Sequence, residues 1–206
     1  MYCTDKDGNL YTLPIDMDLT GIIYNVNVLE EAGVNVDDLK TWDDFNEACK
    51  KVKSIGKTPI QMGGKDSYTF GNLMDFIAPT FITNEDEANQ EALLDGSFDW
   101  SKWNVVVDQV ASWNAEGYFN KDAVTADFMT GVKALAAEEA AFMFHSASGI
   151  SEIYVQNPDT EMGFMPLPAR EDGLKTSLMT GEHFAIGMSK TTEHSFCHLY
   201  RIGPLC

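Results

Sequence analysis

Cations are scarce in this sequence. Over 206 residues, 14 Lys and Arg stand against 32 Asp and Glu, a formal charge of −18. Phosphate-backbone recognition needs clustered cations, so the balance argues against nucleic acid as a partner. It argues equally against an anionic membrane surface, and describes a solvated exterior. Cysteine is sparse too. Cys3, Cys49, Cys197 and Cys206 show no C-x-x-C spacing and no paired framework, so neither zinc nor redox chemistry is indicated. Cys49 falls inside a helical pattern, where it reads as a small buried hydrophobe. No apolar run reaches transmembrane length. Met1 is followed by the polar stretch "YCTDKDGN" and not by a signal peptide, which taken alone reads as a soluble cytoplasmic protein. Gly-x-Ser-x-Gly, a phosphate loop and His-Glu-x-x-His are all missing. The "DKDGN" stretch has a flavour of a calcium loop, but Gly8 falls fourth from Asp5 where sixth is needed, and Asp16 stands where a glutamate is needed. An Asp-Gly turn before a strand is the better reading. No cofactor is expected.

Against these absences stands material for a core: 44% hydrophobic residues, with 12 Phe, 7 Tyr and 4 Trp. "NLYTLPI" alternates as a strand does, and "GIIYN" is a second strand-like run. "NVNVLEEAG" reads as a short helix closed by Gly33, and "VNVDDLK" as a loop. "TWDDFNEACKKVKSIG" is an amphipathic helix, with Thr41 as N-cap, acids in its first turn, lysines in its last and Gly56 as the stop. Its Trp42, Phe45, Ala48 and Val52 share one face. "KTPIQMGG" is a short buried strand with a sharp exit at Gly63 and Gly64. "TFGNLMDFIAPTFI" is helical and broken or kinked at Pro79. "NEDEANQEALLDG" is an acidic helix or excursion. Two more helices are expected, one from an N-cap at Ser101 to Gly117 and one over "TADFMTGVKALAAEEA". "AAFMFHS" is a buried strand, "GISEIYVQNP" a short helix, "EMGFMPLP" a strand and "GEHFAIGMS" the last strand. This alternation is an α/β pattern. The final stretch "SFCHLYRIGPLC" contains no acid and no periodicity, and is expected to reflect a frameshift or a miscalled end.

The order of these landmarks carries a resemblance. Pro14, Tyr24, Asn25, Leu29, Ala32, Gly33, Thr41, Trp42, Asp44 and Phe45, followed by Phe128, Gly131, Ala140, Ala141 and Met143, match the pattern of the family-1 extracellular solute-binding proteins of ABC importers, the carbohydrate-binding branch. The sequence resembles that family over residues 8–194. The resemblance implies a type II periplasmic-binding-protein-like α/β fold, in which two lobes are joined by crossing strands and ligand lies in the cleft between them. It implies here a fragment: one nearly complete second lobe over 17–178, a crossing strand of the first lobe over 1–16, and a return crossing with an off-pattern tail over 179–206. It implies a carbohydrate ligand, ABC permease subunits as partners, a monomer without enzymatic activity, and a lipid-anchored or periplasmic place outside the cytoplasmic membrane. The signal and anchor are expected upstream of Met1. With strands of the first lobe missing, the chain as written is expected to be marginally stable.

Sugar recognition needs flat aromatic faces and fixed polar partners for hydroxyls. Asp16 and Asp18 lie in apolar sequence at the expected crossing and share one face if extended. On position alone, capping or simple exposure stands level with ligand contact; the resemblance implies contact. Tyr68 and Phe70 follow a glycine pair, with core packing the stronger alternative for Phe70. His145, Ser146 and Ser148 follow the buried strand; His145 fits a satisfied core histidine better than a ligand group. Relatives often carry a tryptophan near Ser148 or Gly149, and this chain has none. Glu182 and His183 open the return crossing, where Gly181 permits close approach. The expected ligand contacts are thus Asp16, Asp18, Tyr68, Phe70, Ser146, Ser148, Glu182 and His183. Two other classes stay open: a glycoside hydrolase using Asp16 with Asp18 or with Glu182, and a non-enzymatic interaction module.

Overall fold

The computed structural model describes residues 7–84, 86–182, 184–187, 189 and 191. His183, Cys3, Cys197, Cys206 and the off-pattern stretch 195–206 lie outside the described residues. In chain order the elements are β1 (Thr12–Pro14), β2 (Met17–Asn25), α1 (Val26–Glu31), α2 (Trp42–Ser54), β3 (Thr58–Ile60), α3 (Tyr68–Ala78), α4 (Glu87–Asp95), α5 (Asn104–Ala115), α6 (Phe128–Ala136), β4 (Ala140–Ser146), α7 (Gly149–Gln156), β5 (Met162–Met165), β6 (Met179–Glu182) and β7 (Ala185–Gly187). The chain divides into two compact units. One is Leu19–Met179; the other joins Met1–Asp18 to Thr180–Cys206.

The larger unit is built on a sheet of order β3-β4-β2-β5. β3 runs parallel to β4, while β2 is antiparallel to both β4 and β5. The carboxyl ends of β3, β4 and β5 therefore share one end of the sheet with the start of β2. Both faces are covered. Ile22, Phe142 and Phe144 pack on one side with Trp42 and Phe45 of α2, Leu73 and Ile77 of α3, and Trp113 of α5. Ile23 and Met143 point the other way, onto Val132 and Leu135 of α6 and Ile153 of α7. The strand period of two thus feeds two cores, and explains why β4 reads as unbroken apolar sequence. Trp113 lies 5.7 Å from Phe45 and 5.6 Å from Trp42 between ring centroids, and Phe45 lies 4.8 Å from Phe142. Each such ring contributes roughly 1.5–3 kcal/mol by burial.

Local chemistry sets the ends of the helices. Thr41 and Asp44 close a capping box on α2: Thr41 Oγ1 accepts from Asp44 N–H at 3.2 Å, and Asp44 Oδ2 accepts from Thr41 N–H at 2.9 Å. Lys51 and Lys53 complement its last turn, and Gly56 follows at φ +80°. The buried face is Trp42, Phe45, Ala48, Cys49 and Val52, as the spacing predicts. α3 ends at Ala78, where Pro79 opens a wide π turn over Pro79–Thr83.

Three expectations are corrected. Ser101 does not cap the third long helix. Asp99 caps a 3₁₀ turn over Trp100–Trp103 instead, accepting from Ser101 N–H at 3.0 Å, and that turn leads into α5, which has no side-chain cap of its own. With the turn starting at Trp100, the Ser101 N–H is one of its early donors without a partner inside the turn, and the Asp99 carboxylate takes it. The second strand is longer than "GIIYN". It starts at Met17, and main-chain partners carry it back to Leu19 where side-chain pattern does not: Ala147 N–H donates to Leu19 O at 2.8 Å and Thr20 pairs with Ser146. The "GEHFAIGMS" segment is not one strand but two, β6 and β7.

In the smaller unit β1 and β7 form a two-stranded antiparallel sheet, in register Thr12↔Gly187, Leu13↔Ile186 and Pro14↔Ala185. The two expected crossing segments therefore run side by side. Leu13, Ile15, Phe184 and Ile186 are all exposed.

Candidate functional site

In open α/β sheets, ligand groups gather outside the carboxyl ends of the strands. At that end of the larger unit, the loop 61–67 leaves β3 and is pinned along its length. Met62 N–H donates to Asn120 Oδ1 at 2.8 Å, and Asn120 Nδ2 returns a bond to Met62 O at 3.1 Å. Gly64 N–H reaches Ala123 O at 2.7 Å, and Thr69 Oγ1 donates to Gly63 O at 3.0 Å. Asp66 Oδ2 accepts from Phe128 N–H at 2.8 Å, tying the loop to the start of α6. A side chain at Gly63 would place its Cβ 2.8 Å from the Asp127 carbonyl carbon and the Phe128 nitrogen, so only glycine permits this approach. α6 is itself capped by Asp127, whose Oδ1 accepts from Thr130 N–H at 2.9 Å and from its hydroxyl at 2.8 Å.

Phe128, so placed, stacks on His145 with ring centroids 4.6 Å apart and 28° between planes. His145 Nδ1 lies 3.3 Å from Ser146 O. Beyond it, Ser146 Oγ and Ser148 Oγ share a 2.7 Å hydrogen bond, Ser148 N–H donates to Ser146 Oγ at 3.1 Å, and Ser151 Oγ donates to Ser148 O at 2.6 Å. The two serines form one hydroxyl pair at the exposed end of β4. Behind them a cavity of about 20 Å³ is lined by Gln61, Gly63, Thr69, Phe128, Met143 and His145. That is room for about one water.

Tyr68 opens α3 and is half exposed; partial burial pushes its hydroxyl pKa up, with the Asp66 charge adding to the rise. Phe70, two residues on, does not share its face. It packs edge-on against Phe119 at 6.1 Å and lines a separate apolar groove with Met74, Val110 and Val124. The fold thus brings Ser146 and Ser148 together and puts Phe70 into packing. Sequence reasoning did not pick out Asp66 or Asn120, and it named Phe128 for its place in the family pattern and not for the site. The signals for them were an acid just after a glycine pair, and an aromatic just after an N-cap acid.

In the smaller unit, Asp16 Oδ1 accepts from Phe184 N–H at 2.8 Å. Asp18 is half-buried on β2, and Glu182 ends β6. Among the described residues no three His, Cys, Asp or Glu side chains gather as a metal-ligand set, and no helix is long and apolar enough to cross a membrane.

A sequence profile described as bacterial extracellular solute-binding protein matches residues 2–195. The melibiose/raffinose/stachyose-binding protein MelE of Bacillus subtilis is 28% identical over 190 residues, which cover 90% of this chain and 44% of that protein. A sugar transporter of Bacillus licheniformis, solved in complex with stachyose, superposes with a TM-score of 0.86 at 26% identity, over 97% of this chain and 53% of that one. A binding protein of Bacillus subtilis solved in an open conformation gives a TM-score of 0.81 at 26% identity, over 93% and 49%. The chain spans about half the length of the relatives it matches. The profile match covers all of the described residues, and the fold agrees with it: the chain belongs to the bacterial extracellular solute-binding protein family.

Proposed function

We propose that this chain serves as the solute-binding component of an ABC importer. It takes up a neutral sugar or oligosaccharide, leaves it chemically unchanged and delivers it to the permease subunits on the outer side of the cytoplasmic membrane. The larger unit acts as the second lobe of such a protein, and the paired β1 and β7 as the connecting segments. The observation that carries the reading is the agreement of sequence with a relative named for binding melibiose, raffinose and stachyose, and of fold with a sugar transporter solved with stachyose. Support comes from the hydroxyl pair of Ser146 and Ser148 and the half-exposed Tyr68 at the carboxyl end of the sheet. Hydroxyl pairs and a phenol match sugar hydroxyls and a pyranose face better than they match a charged solute. Asp18 and Glu182 are proposed as charged acceptors for ligand hydroxyls.

The test is calorimetric titration of neutral oligosaccharides against wild type, Asp18→Ala, Glu182→Ala and Ser146→Ala, with Glu87→Ala on α4 as control. A charged acceptor to a ligand hydroxyl contributes about 1.5–3 kcal/mol, so the two acid variants are expected to bind roughly tenfold to a hundredfold more weakly. The control should match wild type. Unchanged affinity in both acid variants removes those residues from the site.

A further inference from the structure

Asp16 and Asp18 look alike in the sequence, but the structure gives Asp16 a definite task. The ladder between β1 and β7 runs Thr12↔Gly187, Leu13↔Ile186, Pro14↔Ala185. Pro14 and Ala185 face each other at a position that exchanges no main-chain bonds, so the N–H that proline lacks is not missed there. The next residue resumes the pairing, Ile15 N–H donating to Phe184 O at 2.9 Å. In a regular antiparallel ladder, two residues that face each other in this way exchange both main-chain bonds, so the Phe184 N–H would be answered by the Ile15 carbonyl. Here a side chain answers it: Asp16 Oδ1 accepts from Phe184 N–H at 2.8 Å. Both main-chain groups of Phe184 are thus bonded by consecutive residues, one through backbone and one through a carboxylate. Charge-assisted acceptors make the stronger kind of hydrogen bond.

The position of this bond matters. The chain passes from one compact unit to the other between Asp18 and Leu19 and again between Met179 and Thr180. Asp16 stands just before the first passage and Phe184 just after the second. Asp18 follows Asp16 by two residues, and Glu182 precedes Phe184 by two. A bond between positions 16 and 184 therefore fixes the offset of the two segments that carry positions 18 and 182. We infer that Asp16 is a positioning residue: its carboxylate is a clip that holds the register of the two connecting segments, and so the spacing of Asp18 and Glu182, and it does not itself meet the ligand. The ligand arm of this inference rests on the sugar-binding reading; the clip does not.

The experiment compares wild type, Asp16→Asn and Asp16→Ala in the full chain by amide hydrogen exchange at Phe184, and by titration with the neutral oligosaccharide that wild type binds best. Asparagine keeps a side-chain oxygen acceptor and loses the charge; alanine loses both. The clip predicts that Asp16→Ala speeds exchange at Phe184 by roughly tenfold and weakens sugar binding, while Asp16→Asn stays within about threefold of wild type in both. Unchanged protection of Phe184 in Asp16→Ala overturns the clip. So does an equal loss of affinity in both variants with Phe184 protection intact, which would make Asp16 a ligand contact that depends on its charge. If no sugar binds wild type, the sugar-binding reading fails, and the exchange arm still decides whether Asp16 is a clip.

Discussion

Asn25 Nδ2 donates to the carbonyl of Leu135, 110 residues further along the chain, at 2.9 Å and from a fully buried position. The same amide nitrogen reaches Thr160 Oγ1 at 3.1 Å, and Oδ1 accepts from Val28 N–H at 2.9 Å to cap α1. One side chain therefore ties the end of β2 to the last turn of α6 and to the approach to β5. Replacement by leucine fills the space but removes the cap acceptor of the buried Val28 N–H and the long-range tie to Leu135 O, which keeps its bond from Glu138 N–H. A loss of about 2–4 kcal/mol is expected, seen as a fall in melting temperature of several degrees by scanning calorimetry.

At Gly21, β2 and β5 run in close contact. A Cβ there would stand 2.5 Å from Met165 O, which is main chain and cannot swing aside. Gly21→Ala is expected to cost about 2–3 kcal/mol by forcing the two strands apart. Denaturant midpoints measure it. The same substitution at Gly71, where nothing lies near the added methyl, should be neutral or slightly stabilising, since that glycine is inside α3.

The capping box on α2 carries a pH signature. The Thr41 hydroxyl bonded to Asp44 holds the Asp44 carboxyl below the usual aspartate range. The folded state thus binds that proton less readily than the unfolded chain. Stability from this pair is complete above the unfolded aspartate value, near 3.9, and is lost as pH falls through the lowered folded value. Melting temperature followed from pH 6 to pH 2 should fall less steeply in Asp44→Asn than in wild type, with the two curves converging at the acid end.

Local stability should differ between the two units. β1 and β7 make a two-stranded sheet with Leu13, Ile15, Phe184 and Ile186 exposed. Such a sheet has little independent stability in water. Backbone amides of β1 and β7 are expected to exchange roughly a hundredfold faster than those of Ile22, Ile23 and Phe142, which lie in doubly covered strands. Equal protection in the two units would mean that the small sheet is held by more than its own pairing.

Much of this was legible in the residues. Thr41, Gly56 and the Trp42, Phe45, Ala48 and Val52 stripe announce α2, because caps and helical spacing are local properties. Pro79 announces its break for the same reason. The unbroken apolar run of β4 announces a strand covered on both faces. What was not legible depends on partners far along the chain. β2 extends back through Thr20 and Leu19 because Ser146 and Ala147 supply main-chain partners, which no pattern in "DMDLT" shows. Asp99 and Ser101 are both sound capping chemistry, and only the 3₁₀ geometry chose between them. Tyr68 and Phe70 are two residues apart, and the sequence assigned both to one site; a helix starting at Tyr68 turns them to different surfaces. Phe128 and His145 meet because α6 is docked by Asp66, a contact set by tertiary folding alone. Asp16 could not be told from Asp18 until Phe184 stood opposite it.

The central claim is that the chain binds a neutral oligosaccharide and converts nothing. Calorimetric titration of the wild-type chain with melibiose, raffinose, stachyose and unrelated neutral oligosaccharides, followed by mass-spectrometric recovery of the sugar, tests it most directly. The account predicts saturable one-to-one binding of at least one of them, with the sugar recovered intact. Saturation by none of them, or release of shorter sugars, would contradict it.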